Sequence, residues 1–495
     1  NGVTSSKTVS DYKNADNSKS ATSRTWVVTN LGGTAHTDYD YMRVHDVYDL
    51  QNIHAKLDGR YMLARDIDAS ATATWDGGKG FAPLGDGSTK FTGRLDGAGH
   101  TLRGLYINQN DYVIGLFGYV KGATIENLSL RDGNVKGRYL VGSIVGVAEE
   151  AVIRNVSYAG AVAGTKFIGG IAGRVSGGSI QNAWNAGKVE GDSSVGGIAG
   201  VAKRGSTFQN VCNTGAITGR MYIGGIVGGT GYNCTIQNAW NTGAVTGSEL
   251  IGGIVGGMQN NCIVQNVWNT GTVTGSRKVG GIVGEADGGS IRHAVSKTGS
   301  AGQAVGSSIS GADVTTDVKV APEADMKLAA TYTDWKDEHG KALVATEGGV
   351  GTPWRIYEGH TMPLLTALMK GTKRLEKVYD GNVFATTDPH ITLVHTGKDV
   401  GTYDAYSDQL GYDLIGGATI MRRVLTLSGV AAQSKTYDGT TAADASKFGA
   451  VLNNVVAGEE NLVKATASGA TYNSKDVATA NTVNYTGVQL TGTGA

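Results

Sequence analysis

Four side chains in the first hundred residues could do acid–base work: Asp66 and Asp68, two positions apart, with Asp96 and His100. Cleavage of a glycosidic bond needs paired carboxylates at a defined separation across a groove. The same residues also suit plain structural duty. Asp66 and Asp68 alternate along one extended run, and Asp96-Gly97 has the chemistry of a corner. The structural role is the preferred reading, so no catalytic residue is assigned. The nine histidines are scattered, and no His-x-x-x-His or Cys-x-x-Cys spacing supports a metal site. No nucleophile elbow or phosphate loop stands out, because the glycine strings that mimic one belong to a repeat. The chain is expected to be no enzyme and to need no cofactor.

Two further sets could bind rather than react. Cys234 and Cys262 lie 28 residues apart, each two positions before an aliphatic landmark, Ile236 or Val264. In a stack of coils spaced by ~4.8 Å they would fall one above the other, inside the Cα separation of roughly 4.4–6.8 Å that a disulfide accepts. A disulfide and a pair of reduced thiols are both open. Trp184, Trp240 and Trp268 share one slot of a repeat with Ser129, Ser157, Cys212 and Val295. A core column does not mix serine with tryptophan, so this slot should face outward. Left bare, the tryptophans would stack sugar rings or hold a partner protein. The alternative, and the preferred one, is a flanking segment lying over them.

The elements that position these residues come from a period. From Gly115 to about Ser296 the chain repeats every 27 or 28 residues. A Gly-Gly-Ile-(Val/Ala)-Gly block ends at Gly146 (as Gly-Ser-Ile-Val-Gly), Gly173, Gly200, Gly228, Gly256 and Gly284. An asparagine recurs at 127, 155, 182, 210, 238 and 266, with His293 in the next slot, and a Val-x-Gly glycine at 137, 164, 191, 219, 247 and 275. Within one unit, short β-type runs near Ile226, Ile236 and Val245 are split by Gly- and Asn-rich corners. That pattern suits a parallel β-helix of about three strands per coil, and the glycines exclude an amphipathic helix. One coil cannot hide its inner side chains, whereas a stack makes a continuous core. The Ile144/171/198/226/254/282 column and the Val135/162/189, Ile217, Val245/273 column should line it, with the slot after the landmark asparagine. The asparagines should form an inter-coil amide ladder, and the Val-x-Gly glycines should supply positive φ at another corner.

Bulk composition narrows the partners. Lys plus Arg and Asp plus Glu are both 43, so no basic stripe points to nucleic acid. No apolar run reaches the roughly 18 residues of a membrane span, and membrane insertion is not expected. Glycine, at 77 of 495 residues, lacks a collagen period. The domain boundaries read as follows: a polar N-terminal extension over 1–41; the parallel β-helix over 42–300, with regular coils over 113–296; and a closing cap or linker over 301–370. Two small β-rich modules follow at 371–428 and 429–495, the second read as truncated. They are marked by the echo of Lys-Val-Tyr-Asp-Gly (377–381) in Lys-Thr-Tyr-Asp-Gly (435–439), and of Gly-Lys-Asp-Val-Gly-Thr-Tyr (397–403) in Ser-Lys-Asp-Val-Ala-Thr-Ala (474–480).

The Gly-Gly-Ile-Val-Gly and Ile-Gln-Asn blocks resemble GLUG-motif repeats, and the two Tyr-Asp-Gly modules resemble the YDG and MBG modules of filamentous-haemagglutinin-type exoproteins. The resemblance covers about Leu50 to the C-terminus and implies a secreted bacterial adhesin at the outer surface, exported by two-partner secretion through an outer-membrane transporter. The N-terminal secretion domain of that family is not found, which suggests an internal fragment. The function expected is a rigid stalk that presents a binding surface to host cells, glycans or other bacteria. The alternative is a carbohydrate-active or carbohydrate-binding β-helix. The resemblance transfers no catalytic residue.

Overall fold

The computed structural model describes residues 4–9, 24–30, 40–259, 261–309, 314–430 and 432–493. Two units divide the chain, Asn1–Lys370 and Gly371–Ala495.

The first unit is a parallel β-solenoid, as the period predicts. In one coil the strands are Thr235–Asn241 and Val245–Thr246 on one face, Glu249–Gly252 on the next and Val255–Met258 on the third. Each pairs in parallel with its equivalent in the coils above and below, so that Ile236 lies between Phe208 and Val264. The isoleucine column is stitched along its backbone. Ile171 N–H donates to Ile198 O at 3.0 Å, Ile198 to Ile226 at 2.9 Å and Ile226 to Ile254 at 2.9 Å. Both expected interior columns are buried throughout, and each such side chain contributes about 1.5–3 kcal/mol on full burial.

The corners are held by amides. Each landmark asparagine takes a left-handed backbone, with φ between 51° and 55°, which asparagine tolerates better than other residues with a side chain. Its Nδ2 donates to the Oδ1 of the preceding coil. Asn155 reaches Asn127 at 2.8 Å, Asn210 reaches Asn182 at 2.9 Å and Asn266 reaches Asn238 at 3.2 Å. A second ladder lies inside the coil: Asn185, Asn213, Asn241 and Asn269 are fully buried. There the Nδ2 of each of the first three donates to the Oδ1 of the next, at 2.7, 2.7 and 2.8 Å.

The Val-x-Gly column needs a correction. None of its glycines has positive φ; the left-handed residue falls three positions later, as at Tyr222 (φ 59°) and Leu250 (φ 61°). Glycine is required there by close approach instead. A Cβ on Gly219 would lie 2.4 Å from Ile223 Cδ1, and one on Gly247 2.5 Å from Ile251 Cδ1.

The N-terminal end is plugged by a short helix, Val47–Gln51, capped by the Asp46 carboxylate, which accepts from the Tyr48 and Asp49 amides. Leu50 enters the core from it, and Ile53 from the 3-10 turn Asn52–Ala55 that follows. Of the polar extension, Thr4–Val9 and Arg24–Asn30 form an antiparallel pair that continues to Asp40–Val44. The last parallel rung lies beyond residue 300, where Val314–Ala321 pairs with Ser290–Lys297. Backbone pairing continues there although the side-chain period has ended.

In the second unit, Thr372–Val378 and Gly401–Tyr403 flank Asp413–Met421, the first in parallel and the second antiparallel. Further on, Thr426–Ser428 pairs with Val451–Asn453 and Gly469–Tyr472 with Val483–Thr486, both antiparallel.

Candidate functional site

The tryptophan column faces outward from the solenoid, as its mixed composition requires, but it is covered. Trp240 and Trp268 are 4% and 3% exposed and stack with ring centroids 5.1 Å apart. Met326, Tyr332, Trp335, Trp354, Ile356 and Leu365 pack over them in a second hydrophobic core, with half-buried Trp184 at its margin. Trp268 Nε1–H donates to Pro363 O at 3.0 Å. The bare aromatic stripe is thereby corrected to the covered alternative, because the segment after the last rung folds back along the solenoid. Trp184, Trp240 and Trp268 hold that cover.

The covering segment also makes a wall. Between it and the first asparagine ladder lies a groove of about 590 Å³, floored by Gln237, Asn238, Gln265, Asn266, Arg292 and His293, with Lys336–His339 opposite. The floor follows from register. Gln181, Gln209, Gln237, Gln265 and Arg292 form one column on paired strands, and the ladder runs beside it. The Asp337 carboxylate builds the opposite turn by accepting from the His339 and Lys341 amides, both at 2.9 Å. Those bonds, the Lys341 amide first, hold its pKa below the ordinary carboxylate value. Burial holds the His293 imidazole below its ordinary pKa. Its Nδ1 lies 3.0 Å from Asn266 Oδ1 and so donates, continuing the ladder. Arg292 Nε is buried and has no hydrogen-bond partner among the described residues. The groove therefore offers amide donors and acceptors beside the cationic side chain of Arg292, which suits a hydroxyl- or carboxylate-rich ligand.

The acidic cluster performs structural work. His100 Nδ1 lies 3.2 Å from Asp66 Oδ1, which also accepts from the Thr101 amide at 3.0 Å. The Thr101 amide and then His100 lower the Asp66 pKa, and Ser70 lowers that of Asp68. Neither is suited to act as a protonated general acid. Asp96 Oδ1 accepts from the Ala98 amide at 2.8 Å and from Asn127 Nδ2 at 3.0 Å. A carboxylate can only accept, and every Asn of this ladder donates backwards, so Asp96 terminates it. No group of three or more His, Cys, Asp or Glu that could hold a metal occurs among the described residues.

Cys234 and Cys262 occupy adjacent coils, as their spacing implies, and both are buried free thiols. The Cys234 amide donates to Cys262 Sγ at 3.4 Å. The adjoining Cys262 sulfur, then burial, pushes the Cys234 thiol up, and the same contact pulls Cys262 down.

In the tail modules the repeated motif is a self-capped turn. Lys435 Nζ reaches Asp438 Oδ1 at 2.8 Å, Thr440 O at 2.9 Å and Ala442 O at 2.8 Å. Lys377 Nζ reaches Asp380 Oδ1 at 2.6 Å and Asn382 O at 2.7 Å. The aspartates also accept from the Asn382 and Thr440 amides. The expected turn role holds, and the lysine, which composition gave no reason to single out, completes it.

Comparison with known proteins adds the following. Residues 421–495 match the YDG domain. The chain is similar to halomucin of Haloquadratum walsbyi, 34% identical over 137 residues, covering 26% of this chain and 2% of that protein. It is also similar to a protein of Evansella cellulosilytica named "Putative Gly-rich membrane protein", 35% identical over 133 residues, covering 26% of this chain and 15% of the relative. The chain thus spans a small part of both relatives. Among solved structures, one from Bacteroides ovatus, described as "a putative immunoglobulin A1 protease", matches with a TM-score of 0.40 and 18% identity, over 63% of this chain and 93% of that one. The expectation that the chain is no enzyme does not stand against this finding, since the neighbour is described as a protease. A likeness of this extent assigns no activity to the chain. No helix among the described residues is long and apolar enough to cross a membrane.

Proposed function

We propose that this chain is a segment of a surface-displayed bacterial adhesin whose β-solenoid presents the ladder-side groove to a glycan or another hydroxyl- and carboxylate-rich partner. The observation that carries the reading is the groove itself: a polar floor repeated from coil to coil, ending at the half-buried side chain of Arg292. Surface display draws support from relatives named "Halomucin" and "Putative Gly-rich membrane protein". Export through an outer-membrane transporter, implied by the resemblance to filamentous-haemagglutinin-type exoproteins, belongs to the same reading. A charge-assisted hydrogen bond contributes about 1.5–3 kcal/mol, so Arg292→Ala should weaken ligand binding by about tenfold to a hundredfold. Glycan-array and cell-binding titrations of the parent chain and this variant test the reading. Equal binding by both would remove the groove from the function.

A further inference from the structure

We propose that the exposed Lys435–Gly439 turn is a docking surface for a second copy of the 421–495 module, received through the loop of that copy that bears Glu459. The two Lys-x-Tyr-Asp-Gly motifs are built alike, and they differ in what rests on them. On the first, the Tyr379 hydroxyl donates to Glu459 Oε1 at 2.6 Å. A Cβ on Gly381 would lie 3.1 Å from Val456 Cγ1 and 3.3 Å from Glu459 Oε1, so the Asp-Gly turn is packed against that loop. Arg423 fastens the same joint by donating to Tyr379 O at 3.2 Å and to Asn454 O.

The second motif is bare. Tyr437, the counterpart of Tyr379, is 66% exposed, and its hydroxyl has no partner among the described residues. A Cβ on Gly439 would meet nothing within 4 Å. A groove of about 180 Å³ opens beside it, lined by Lys435, Tyr437, Thr440, Tyr472 and Lys475, and Val477 on its edge is 72% exposed. The two modules also differ in length in the way this requires. From the motif tyrosine to the Lys-Asp-Val lysine is 19 residues in the first (379 to 398) and 38 in the second (437 to 475). The additional chain holds the loop around Val456 and Glu459. The first module therefore has only a socket, whereas the second has both plug and socket. A second copy of 421–495 supplies what Tyr437 lacks: a carboxylate for the hydroxyl and valine methyl groups for the turn.

The test uses the full chain and the same chain extended after residue 495 by a second copy of 421–495 in which the tyrosine matching Tyr437 is replaced by phenylalanine, with nitration of each tyrosine by tetranitromethane read by peptide mass spectrometry. In the 495-residue chain Tyr437 should react readily and Tyr379 slowly. In the extended chain Tyr437 should slow by about tenfold, the worth of one charge-assisted hydrogen bond. Carrying Glu459→Gln and Val456→Asp in the appended copy should restore the rate. The same two substitutions in the 495-residue chain should release Tyr379. A peptide of residues 453–462, added in excess to the 495-residue chain, is the second arm and does not depend on folding of the appended copy. The proposal is overturned if neither the extension nor the peptide slows Tyr437, or if Tyr379 is as reactive as Tyr437 from the outset.

Discussion

Asn241→Ala removes one rung of the buried ladder. The Asn241 amide makes four hydrogen bonds: Nδ2 donates to Gly243 O at 2.9 Å and Asn269 Oδ1 at 2.8 Å, and Oδ1 accepts from Asn213 Nδ2 at 2.7 Å and the Gly243 amide at 3.2 Å. At about 1 kcal/mol net each, the loss comes to about 4 kcal/mol. Two facts keep the cost from being relieved. The side chain is fully buried, so the orphaned groups do not regain water. The site also admits no bulkier filler, since a Cβ on Gly225 would already lie 2.5 Å from Asn241 Cγ. Each coil touches mainly its neighbours, so the damage should stay local and no single global transition will report it. Residue-resolved hydrogen exchange is the suitable assay. The amides of Ile217 and Val245, bonded at 2.9 and 2.8 Å to the coils that follow them, should lose protection by about a thousandfold. Leu102 and Ile107, several coils away, should be unchanged. Loss of less than about tenfold at Ile217 and Val245 would refute the claim that this ladder holds the corner.

Other outcomes follow from the same geometry. Asn238 sits at φ 53° with a ladder bond on each side. Asn238→Ala and Asn238→Gly lose the same bonds, but alanine also bears left-handed strain of about 1 kcal/mol, so the glycine variant should keep about fivefold more exchange protection at the amides of that coil. Trp268→Ala removes the Pro363 bond and the Trp240 stack; trypsin should then cut the 322–365 cover faster while the solenoid strands keep their exchange protection. Asp438 is held down at about 2, chiefly by Lys435 and then by the Thr440 amide. Because its folded value is depressed, the turn gains stability above the ordinary carboxylate value, and the gain is lost as pH falls towards 2. Carboxylate titration by NMR should show that low midpoint, and Lys435→Met should raise it. Thiol counting on the unfolded chain without reductant should find three free cysteines; a count of one would show Cys234 and Cys262 bridged.

Much of the solenoid was legible because two signals survive in a linear string. Ile171, Ile198 and Ile226 recur because the interior demands an aliphatic residue at each level, and Asn182, Asn210 and Asn238 because one side chain serves both the corner backbone and the next coil. The Val-x-Gly glycines misled, since composition does not separate a residue needed for its φ from one needed for its missing Cβ. Asn185 and its successors went unremarked because they adjoin the variable tryptophan slot, although their spacing was equally regular. The cover over Trp240 and Trp268 comes from Met326–Leu365, a stretch with no period, and its placement depends on contacts distant in sequence. The groove inherits that difficulty: its floor was written in the Gln and Asn columns, its far wall was not.

The groove, the ladders and the covered column all rest on coils stacked in register, and a distance across several coils tests that most directly. Thr124 is joined to Ile263 by five successive register pairs, through Val152, Ser179, Thr207 and Thr235. Spin labels at Thr124→Cys and Ile263→Cys should give a narrow distribution near 24 Å by electron double resonance, at ~4.8 Å per coil. A broad distribution, or one centred beyond about 40 Å, would contradict the stacking of five coils at the strand spacing.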